Sequence, residues 1–127
     1  MTLRRCTFED VAIHAAEAHL DGLILSRAMA HQWFMDRHST GFVGTKQDGR
    51  TLLIGTIFVL PGKRKVGNGT RILKDVMDAA GDRDIEVVCK PALHRWFGKQ
   101  GFIATRKLRD KEDVWLMVRP KRIEAGA

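Results

Sequence analysis

The sequence contains no tyrosine, and it has only two cysteines and three prolines among its 127 residues. Cys6 and Cys89 form no CxxC pair, so no disulfide framework is predicted and a reducing, cytoplasmic setting is favoured. The longest apolar run, residues 52–60, is much shorter than the about 20 residues that span a bilayer, so no membrane segment is predicted. No HExxH motif occurs, and the histidine spacing does not suit zinc, so no metal site is expected.

Acidic residues are scarce relative to basic ones. The 22 lysines and arginines outnumber the 15 aspartates and glutamates, which gives a formal net charge of +7 and a pI near 9.9. This excess indicates an acidic partner, either an RNA such as tRNA or an acidic protein surface, although a solvated basic surface would also account for it. Because hydrophobic residues make up 44% of the chain, we expect a single domain over residues 1–119 and a basic tail over 120–127.

Residues 57–70 are predicted to form the end of a buried strand, a tight basic loop and the first turn of a helix. Pro61 and Gly62 end the strand, and Gly67 and Gly69 free the backbone where the helix begins. The first N–H groups of a helix have no partner within the helix and carry partial positive charge. With the basic residues 63–65 beside them, the segment predicts a cradle for a phosphate. A basic, glycine-rich turn without a ligand would have the same sequence.

Two common phosphate loops do not fit this segment. Gly62 and Gly67 have the spacing of a P-loop, but Asn68 and Gly69 stand where that loop has lysine and a hydroxyl residue. A dinucleotide fingerprint requires a third glycine, and Ile72 takes that position. What remains is the pattern Arg-x-x-Gly-x-Gly directly after a strand.

The pattern Arg64-x-x-Gly67-x-Gly69 resembles the loop with which the GNAT superfamily of N-acetyltransferases binds the pyrophosphate of acetyl-CoA. A second segment is similar to that family's Ala-x-x-Phe-Tyr-x-x-x-Gly-Phe motif, a short helix followed by a strand. It reads Leu93-His94-Arg95-Trp96-Phe97-Gly98-Lys99-Gln100-Gly101-Phe102. Gly101 also suits a helix C-terminus on physical grounds. The two motifs occur in the family's order, and the resemblance covers the second half of the chain better than the first.

The resemblance implies an α/β (α+β) fold, in which a mixed, mostly antiparallel central sheet of about six or seven strands is flanked by about four helices. The hydrophobic pattern predicts strands over residues 3–6, 41–46, 51–60, 85–89, 102–108 and 114–118. It also predicts a first helix that Thr7 caps and Asp21-Gly22 ends, a second over 23–35, a third over 70–80 and a short fourth that starts at Pro91. In the family, the first two helices help to shape the entrance for the acceptor.

The resemblance also implies how acetyl-CoA, the expected co-substrate, is bound. Backbone N–H groups from Arg64 through Thr70 would take the pyrophosphate, and the pantetheine arm would lie along the end of the strand. The backbone N–H of Val59 would point at the thioester carbonyl. The implied cofactor-binding residues are Phe58, Val59, Leu60, Arg64, Lys65, Val66, Gly67, Asn68, Gly69, Thr70 and Phe97.

The absence of tyrosine matters because the family often uses a tyrosine of the second motif to protonate the leaving thiolate. Phe97 takes that position and cannot donate a proton. Cys89, His94 and Glu86 are candidates for the missing acid or base, although an inert buried thiol, an exposed histidine and a structural carboxylate are the simpler interpretations. Since general acid help is worth roughly 10²–10⁴-fold, its loss slows the reaction without abolishing it.

We therefore predict an N-acetyltransferase that moves the acetyl group of acetyl-CoA to a primary amine by direct attack. The acceptor is expected on a macromolecule, either a protein lysine or N-terminus or an aminoacyl-tRNA. The alternative is a catalytically degenerate GNAT protein that binds coenzyme A or a protein partner as a regulator. A nucleic-acid-binding module is a third interpretation, which leaves the two ordered motifs unexplained. We expect a cytoplasmic monomer or homodimer.

Overall fold

Seven strands and four α-helices follow one another in the computed structural model, which describes residues 3–64, 66–108 and 114–120. Two 3₁₀ helices, Arg27–Met29 and Pro91–Leu93, lie between them. The predicted turn at 109–113 and all but the first residue of the predicted tail lie outside the described residues. The elements are β1 (Leu3–Cys6), α1 (Phe8–Ala12), α2 (Ala15–Leu20), β2 (Gln32–Asp36), β3 (Gly41–Asp48), β4 (Thr51–Val59), α3 (Asn68–Ala80), β5 (Asp84–Cys89), α4 (His94–Lys99), β6 (Ile103–Leu108) and β7 (Val114–Arg119).

The strands form one sheet in the order β1-β2-β3-β4-β5-β7-β6. Antiparallel pairing places Cys6 opposite Trp33 and Trp33 opposite Gly44, and it places Cys89 on β5 opposite Trp115 on β7. Over the described residues this confirms the predicted sheet of six or seven mostly antiparallel strands with about four helices.

The described residues fall into two compact units. The first lies within residues 1–46 and 54–79, and the second within 47–53 and 80–127. The loop motif between β4 and α3 belongs to the first unit, and the short-helix motif around α4 belongs to the second. A single domain over residues 1–119 stays a prediction.

The predicted helix over residues 23–35 is wrong. A 3₁₀ helix occupies only Arg27–Met29, and Gln32–Asp36 form β2. Trp33 and Met35 are buried whereas the residues between and before them are half-buried, which is the period-two burial of a strand. The helical spacing of the apolar residues is overridden because β1 and β3 pair with β2 on its two sides.

The opening helical segment is capped as predicted but is not continuous. The Thr7 N–H donates to Asp10 Oδ2 over 2.9 Å, and the Asp10 N–H donates to Thr7 Oγ1 over 3.2 Å, which forms a capping box. The predicted single helix is interrupted, because α1 ends at Ala12 and α2 begins at Ala15. The interruption brings the His14 ring to 6.3 Å from the ring of Phe42 in the core.

The 3₁₀ helix Arg27–Met29 packs against β4 at a position without a side chain. A Cβ atom built on Gly55 would lie 2.0 Å from the carbonyl oxygen of Met29. Glycine is therefore required at this position by the close approach of two backbones.

In the second unit, α4 packs through an aromatic cluster around the buried Phe97. Phe97 is 1% exposed, and its ring centroid lies 4.8 Å from that of Trp96 and 5.2 Å from that of Phe102. Gly101 has a φ of 95° and its N–H donates to the Gly98 carbonyl, so α4 ends as predicted. The other predicted strands and the third helix correspond to β1, β3–β7 and α3.

Candidate cofactor-binding site

The loop between β4 and α3 is closed at its base by hydrogen bonds. The Lys63 N–H donates to the Leu60 carbonyl over 3.0 Å, and Asn68 Nδ2 donates to the Lys63 carbonyl over 2.7 Å. Asn68 is only 8% exposed, so its side chain is buried under the loop and is not available to a ligand in solvent. The helix α3 begins at Asn68, before the predicted start at residue 70.

The start of α3 leaves several backbone N–H groups available. The Arg71 N–H makes the first helical hydrogen bond, to the Gly67 carbonyl over 3.0 Å. The N–H groups of Asn68, Gly69 and Thr70 come before it and have no carbonyl one turn back within the helix. Gly67 has a φ of 84°, and a Cβ atom on it would meet no heavy atom within 4 Å. An open loop beside the positive end of a helix is suited to a phosphate.

The backbone N–H of Val59 lies on the edge of β4 that does not face β3. The Leu60 N–H donates to the Thr40 carbonyl over 2.9 Å, so Leu60 faces the β3 side. A Cβ atom on Gly41 would lie 2.4 Å from the Phe58 carbonyl oxygen, so Phe58 faces that side as well. In an antiparallel pair, the N–H and C=O of one residue point to one side, and successive residues alternate. Both polar groups of Val59 therefore point away from β3.

The side chain of Arg64 is held against this same edge. Its Nε donates to the Val59 carbonyl over 2.8 Å, and its guanidinium carbon lies 5.1 Å from the ring centroid of Phe58. Its Nη2 forms an ion pair with Asp21, the residue that ends α2. These contacts hold Nε against β4 and Nη2 against the end of α2.

A buried carboxylate fixes the first turn of α3. Asp36 is 0% exposed, and its Oδ2 accepts hydrogen bonds from Thr40 Oγ1 over 2.6 Å and from Arg71 Nη2 over 3.0 Å. Burial raises the pKa of Asp36, but the hydrogen bonds from Thr40 and Arg71 and the charge of Arg71 outweigh it, so the pKa lies below its ordinary value. Because Arg71 stands in the first turn of α3, this cluster joins the helix start to the turn after β2.

The remaining predicted loop residues lie at the surface or outside the described chain. Lys63 and Thr70 are exposed, and Val66 is 73% exposed. Lys65 lies outside the described residues.

In the second unit, Glu86 and Cys89 lie on opposite faces of β5. Cys89 belongs to the buried face, where its Sγ contacts Met117 Sδ at 3.4 Å, and burial raises the pKa of its thiol. Glu86 is half-buried and pairs across the sheet with Val118. An odd spacing along a strand points two side chains to different faces, so these two residues do not form one acid–base site.

His94 and Phe97 lie on α4. The His94 ring packs edge-on against Trp115, with their centroids 5.8 Å apart. Its Nε2 is buried and has no hydrogen-bond partner in the described part of the chain. Phe97 is enclosed by its aromatic neighbours.

Three of the residues that shape this region are missed by the sequence interpretation. Asp21 is predicted only as a helix break, and Asp36 and Thr40 receive no role. The sequence feature that could have pointed to Asp36 is its position as an acidic residue at the end of an apolar strand. Its partner Arg71 is 35 positions away, so the pairing emerges only when the chain folds.

No family model matches the sequence, and no curated protein matches it. Solved structures do match its fold. A ribosomal-protein alanine N-acetyltransferase from Escherichia coli superposes with a TM-score of 0.76 at 14% identity, over 98% of this chain and 96% of that one. A structure described as an acetyltransferase of the GNAT family, from Bacteroides thetaiotaomicron, has a TM-score of 0.71 at 14% identity, over 98% and 89%. N-acetylglutamate synthase from Neisseria gonorrhoeae, solved with coenzyme A and N-acetyl-glutamate, has a TM-score of 0.74 at 19% identity, over 95% and 35%.

The chain therefore has the fold of the GNAT superfamily of N-acetyltransferases, as the sequence resemblance predicts. Within the described residues, no helix combines the length and the apolar composition that crossing a bilayer requires. In the same residues, no three histidine, cysteine, aspartate or glutamate side chains come together as metal ligands would.

Proposed function

We propose that this protein is an acyltransferase that moves the acetyl group of acetyl-CoA to a primary amine by direct attack. The observation that carries the proposal is the position of the Val59 N–H on the edge of β4 that faces away from β3, directly before a loop that ends at the start of α3. One short stretch of chain thus offers a donor for a carbonyl group and a set of donors for a phosphate. The GNAT fold, and a neighbour solved with coenzyme A, support one ligand for both.

The loop has the room and the charge that a diphosphate needs. Gly67 has a φ of 84°, and a Cβ atom on it would meet no heavy atom within 4 Å. The N–H groups from Gly67 through Thr70 would hold the diphosphate, and Lys63 would add charge. The pantetheine arm, which contains amides, would pair with the side of β4 at Val59 that does not face β3. This requires that β5, the next strand in the sheet order, is not paired with β4 at that residue.

In the chemical step, the backbone N–H of Val59 would stabilise the negative charge that develops on the thioester oxygen. Acetyl-CoA supplies an activated acetyl thioester when bound. The Val59 N–H would donate to the carbonyl oxygen, and this hydrogen bond strengthens as the amine attacks and negative charge develops there. One such donor is worth about 10²–10³-fold in kcat.

The departing thiolate needs a proton, and the chain has no tyrosine to supply it. We propose that water supplies it, because the Nε2 of His94 is buried; Cys89, His94 and Glu86 stay predicted candidates. The sulfur of Cys89 is already in contact with Met117, and Glu86 lies on the opposite face of its strand. Water would give a proton to the thiolate as the thioester carbon–sulfur bond breaks, and water would take the proton that the attacking amine nitrogen loses.

For the acceptor, we propose a primary amine on an acidic macromolecule, either a protein lysine or N-terminus or an aminoacyl-tRNA. The net charge of +7 supports an acidic partner, because it raises the rate of encounter with negative surfaces. The Escherichia coli neighbour, whose name gives a ribosomal-protein alanine as its target, supports a protein acceptor. We place the reaction in the cytoplasm, where the free thiols of Cys6 and Cys89 stay reduced. The protein would act as a monomer or homodimer.

A second candidate function is a regulator that binds coenzyme A or a protein partner without turnover. Phe97 favours this second function, because a buried phenylalanine stands where the family often has a tyrosine that protonates the thiolate.

Two assays test these candidates. Calorimetric titration with acetyl-CoA is expected to show binding for either candidate. Thiol release in the presence of amines, followed by mass spectrometry of a lysate treated with labelled acetyl-CoA, is expected to show transfer and to identify the acceptor. Binding without thiol release would favour the regulator, and the absence of binding would contradict both.

A further inference from the structure

We propose that Asp21 is a positioning residue: through Arg64 it holds the peptide unit between Val59 and Leu60, and so fixes the direction of the neighbouring Val59 N–H. For catalysis this inference rests on the proposed function, because that N–H matters to the rate only if a thioester carbonyl meets it.

The peptide unit between Val59 and Leu60 is held from both sides. Its N–H donates to the Thr40 carbonyl over 2.9 Å, and its C=O accepts from Arg64 Nε over 2.8 Å. Because a peptide unit is planar, fixing both groups stops it from rotating. The preceding peptide unit carries the Val59 N–H, and its own carbonyl, that of Phe58, lies close to Gly41. The direction of the Val59 N–H is therefore confined by its neighbours on both sides.

The hydrogen bond from Arg64 depends on an ordered side chain. Arg64 is 40% exposed at its side chain, and an exposed arginine loses rotamer freedom when it is held in one position. Two contacts select its position: the ion pair with Asp21, and the Phe58 ring 5.1 Å away. Asp21 is the residue that ends α2, so the anchor is attached to a helix.

The same unit contains a matched control. Arg27 forms an ion pair with Glu9, and its guanidinium carbon lies 5.0 Å from the ring centroid of Phe8. This pair has the same chemistry as the pair of Asp21 and Arg64. Within the described residues, however, Arg27 donates to no strand carbonyl, so loss of Glu9 is expected to leave the peptide unit between Val59 and Leu60 unchanged.

The first experiment uses ¹⁵N-labelled protein without ligand and follows the Nε–H resonance of Arg64 and the N–H resonance of Val59. In the wild type and in Glu9→Gln, the Arg64 proton is expected to exchange slowly with water. In Asp21→Asn it is expected to exchange about tenfold faster or more, with a shifted Val59 resonance. An Asp21→Asn spectrum that matches the wild type at both resonances would overturn the proposal.

The second experiment measures steady-state kinetics for the same variants. Asp21→Asn is expected to lower kcat about tenfold and to leave the KM for acetyl-CoA within about twofold, because misdirected catalytic groups slow chemistry while the loop backbone still binds the diphosphate. Asp21→Glu is expected to recover most of the rate, and Glu9→Gln to behave as the wild type.

A lower KM in Asp21→Asn would instead mean that Asp21 keeps Arg64 away from the ligand, which would overturn the positioning role. If the wild type releases no thiol with any amine, the proposed function fails, while the resonances of Arg64 and Val59 still decide whether Asp21 orders this edge. The two failures are therefore distinguishable.

Discussion

Arg71 Nη2 donates to Asp36 Oδ2 over 3.0 Å, and this contact ties the first turn of α3 to the end of β2. Asp36 is fully buried, whereas the Arg71 side chain is 36% exposed. The other carboxylate oxygen, Asp36 Oδ1, has no hydrogen-bond partner in the described part of the chain. The pair thus makes a single direct contact, and it sets the position of the N–H groups proposed to bind a diphosphate.

This pair predicts a loss of stability in acid. Because the pKa of Asp36 is lowered in the folded protein, its carboxylate contributes stability above the pKa of the unfolded chain, about 3.9. That contribution is lost as the pH falls through the folded pKa. We expect urea denaturation to show that the difference in unfolding free energy between the wild type and Asp36→Asn shrinks below about pH 4. A difference that stays constant from neutral to acid pH would contradict this role for the carboxylate.

The close approach of β3 and β4 predicts that Gly41 does not tolerate a larger residue. A Cβ atom there would lie 2.4 Å from the Phe58 carbonyl oxygen, so Gly41→Ala is expected to cost about 1–3 kcal/mol of unfolding free energy. Gly98 is the matched control, because a Cβ atom on it would meet no heavy atom within 4 Å and it lies within α4. Gly98→Ala is expected to be stabilising by about 0.5–1 kcal/mol. Equal melting curves for the two variants would show that the strands can separate to admit a methyl group.

Two glycines of the loop are expected to differ in their effect on acetyl-CoA binding although they have the same effect on stability. Gly62 and Gly67 share a φ of 84°, so alanine at either is expected to cost about 1 kcal/mol of unfolding free energy. Only Gly67 adjoins the first N–H groups of α3, so a methyl group on it would stand beside the amides proposed to bind the diphosphate. Calorimetry is expected to show about tenfold weaker binding of acetyl-CoA by Gly67→Ala and unchanged binding by Gly62→Ala. Equal affinities would remove the diphosphate from this loop.

The sequence predicts the parts of this fold that local chemistry determines. The capping box at Thr7 and the glycine that ends α4 both depend on residues within one helical turn, and both are confirmed. The strand end at Pro61 and the start of α3 are predicted to within two residues for the same reason.

The features that the sequence does not predict are those that depend on residues far away in the chain. Residues 32–36 have apolar spacing that also fits a helix, and they become a strand because β1 and β3 flank them. The contacts of Arg64 with Asp21 and of Arg71 with Asp36 join residues 43 and 35 positions apart, so no local pattern signals either pair. The sequence therefore predicts the loop of the candidate site, but it does not predict the two ion pairs that hold the loop and the start of α3.

The most direct measurement is a titration of ¹⁵N-labelled protein with acetyl-CoA, followed by the backbone amide resonances. We expect saturable binding, with the largest shifts at Val59 and at the amides of Gly67, Asn68, Gly69 and Thr70. Saturable binding that leaves these five amides unmoved, or no binding at millimolar acetyl-CoA, would contradict the proposal that this loop and strand edge hold the cofactor.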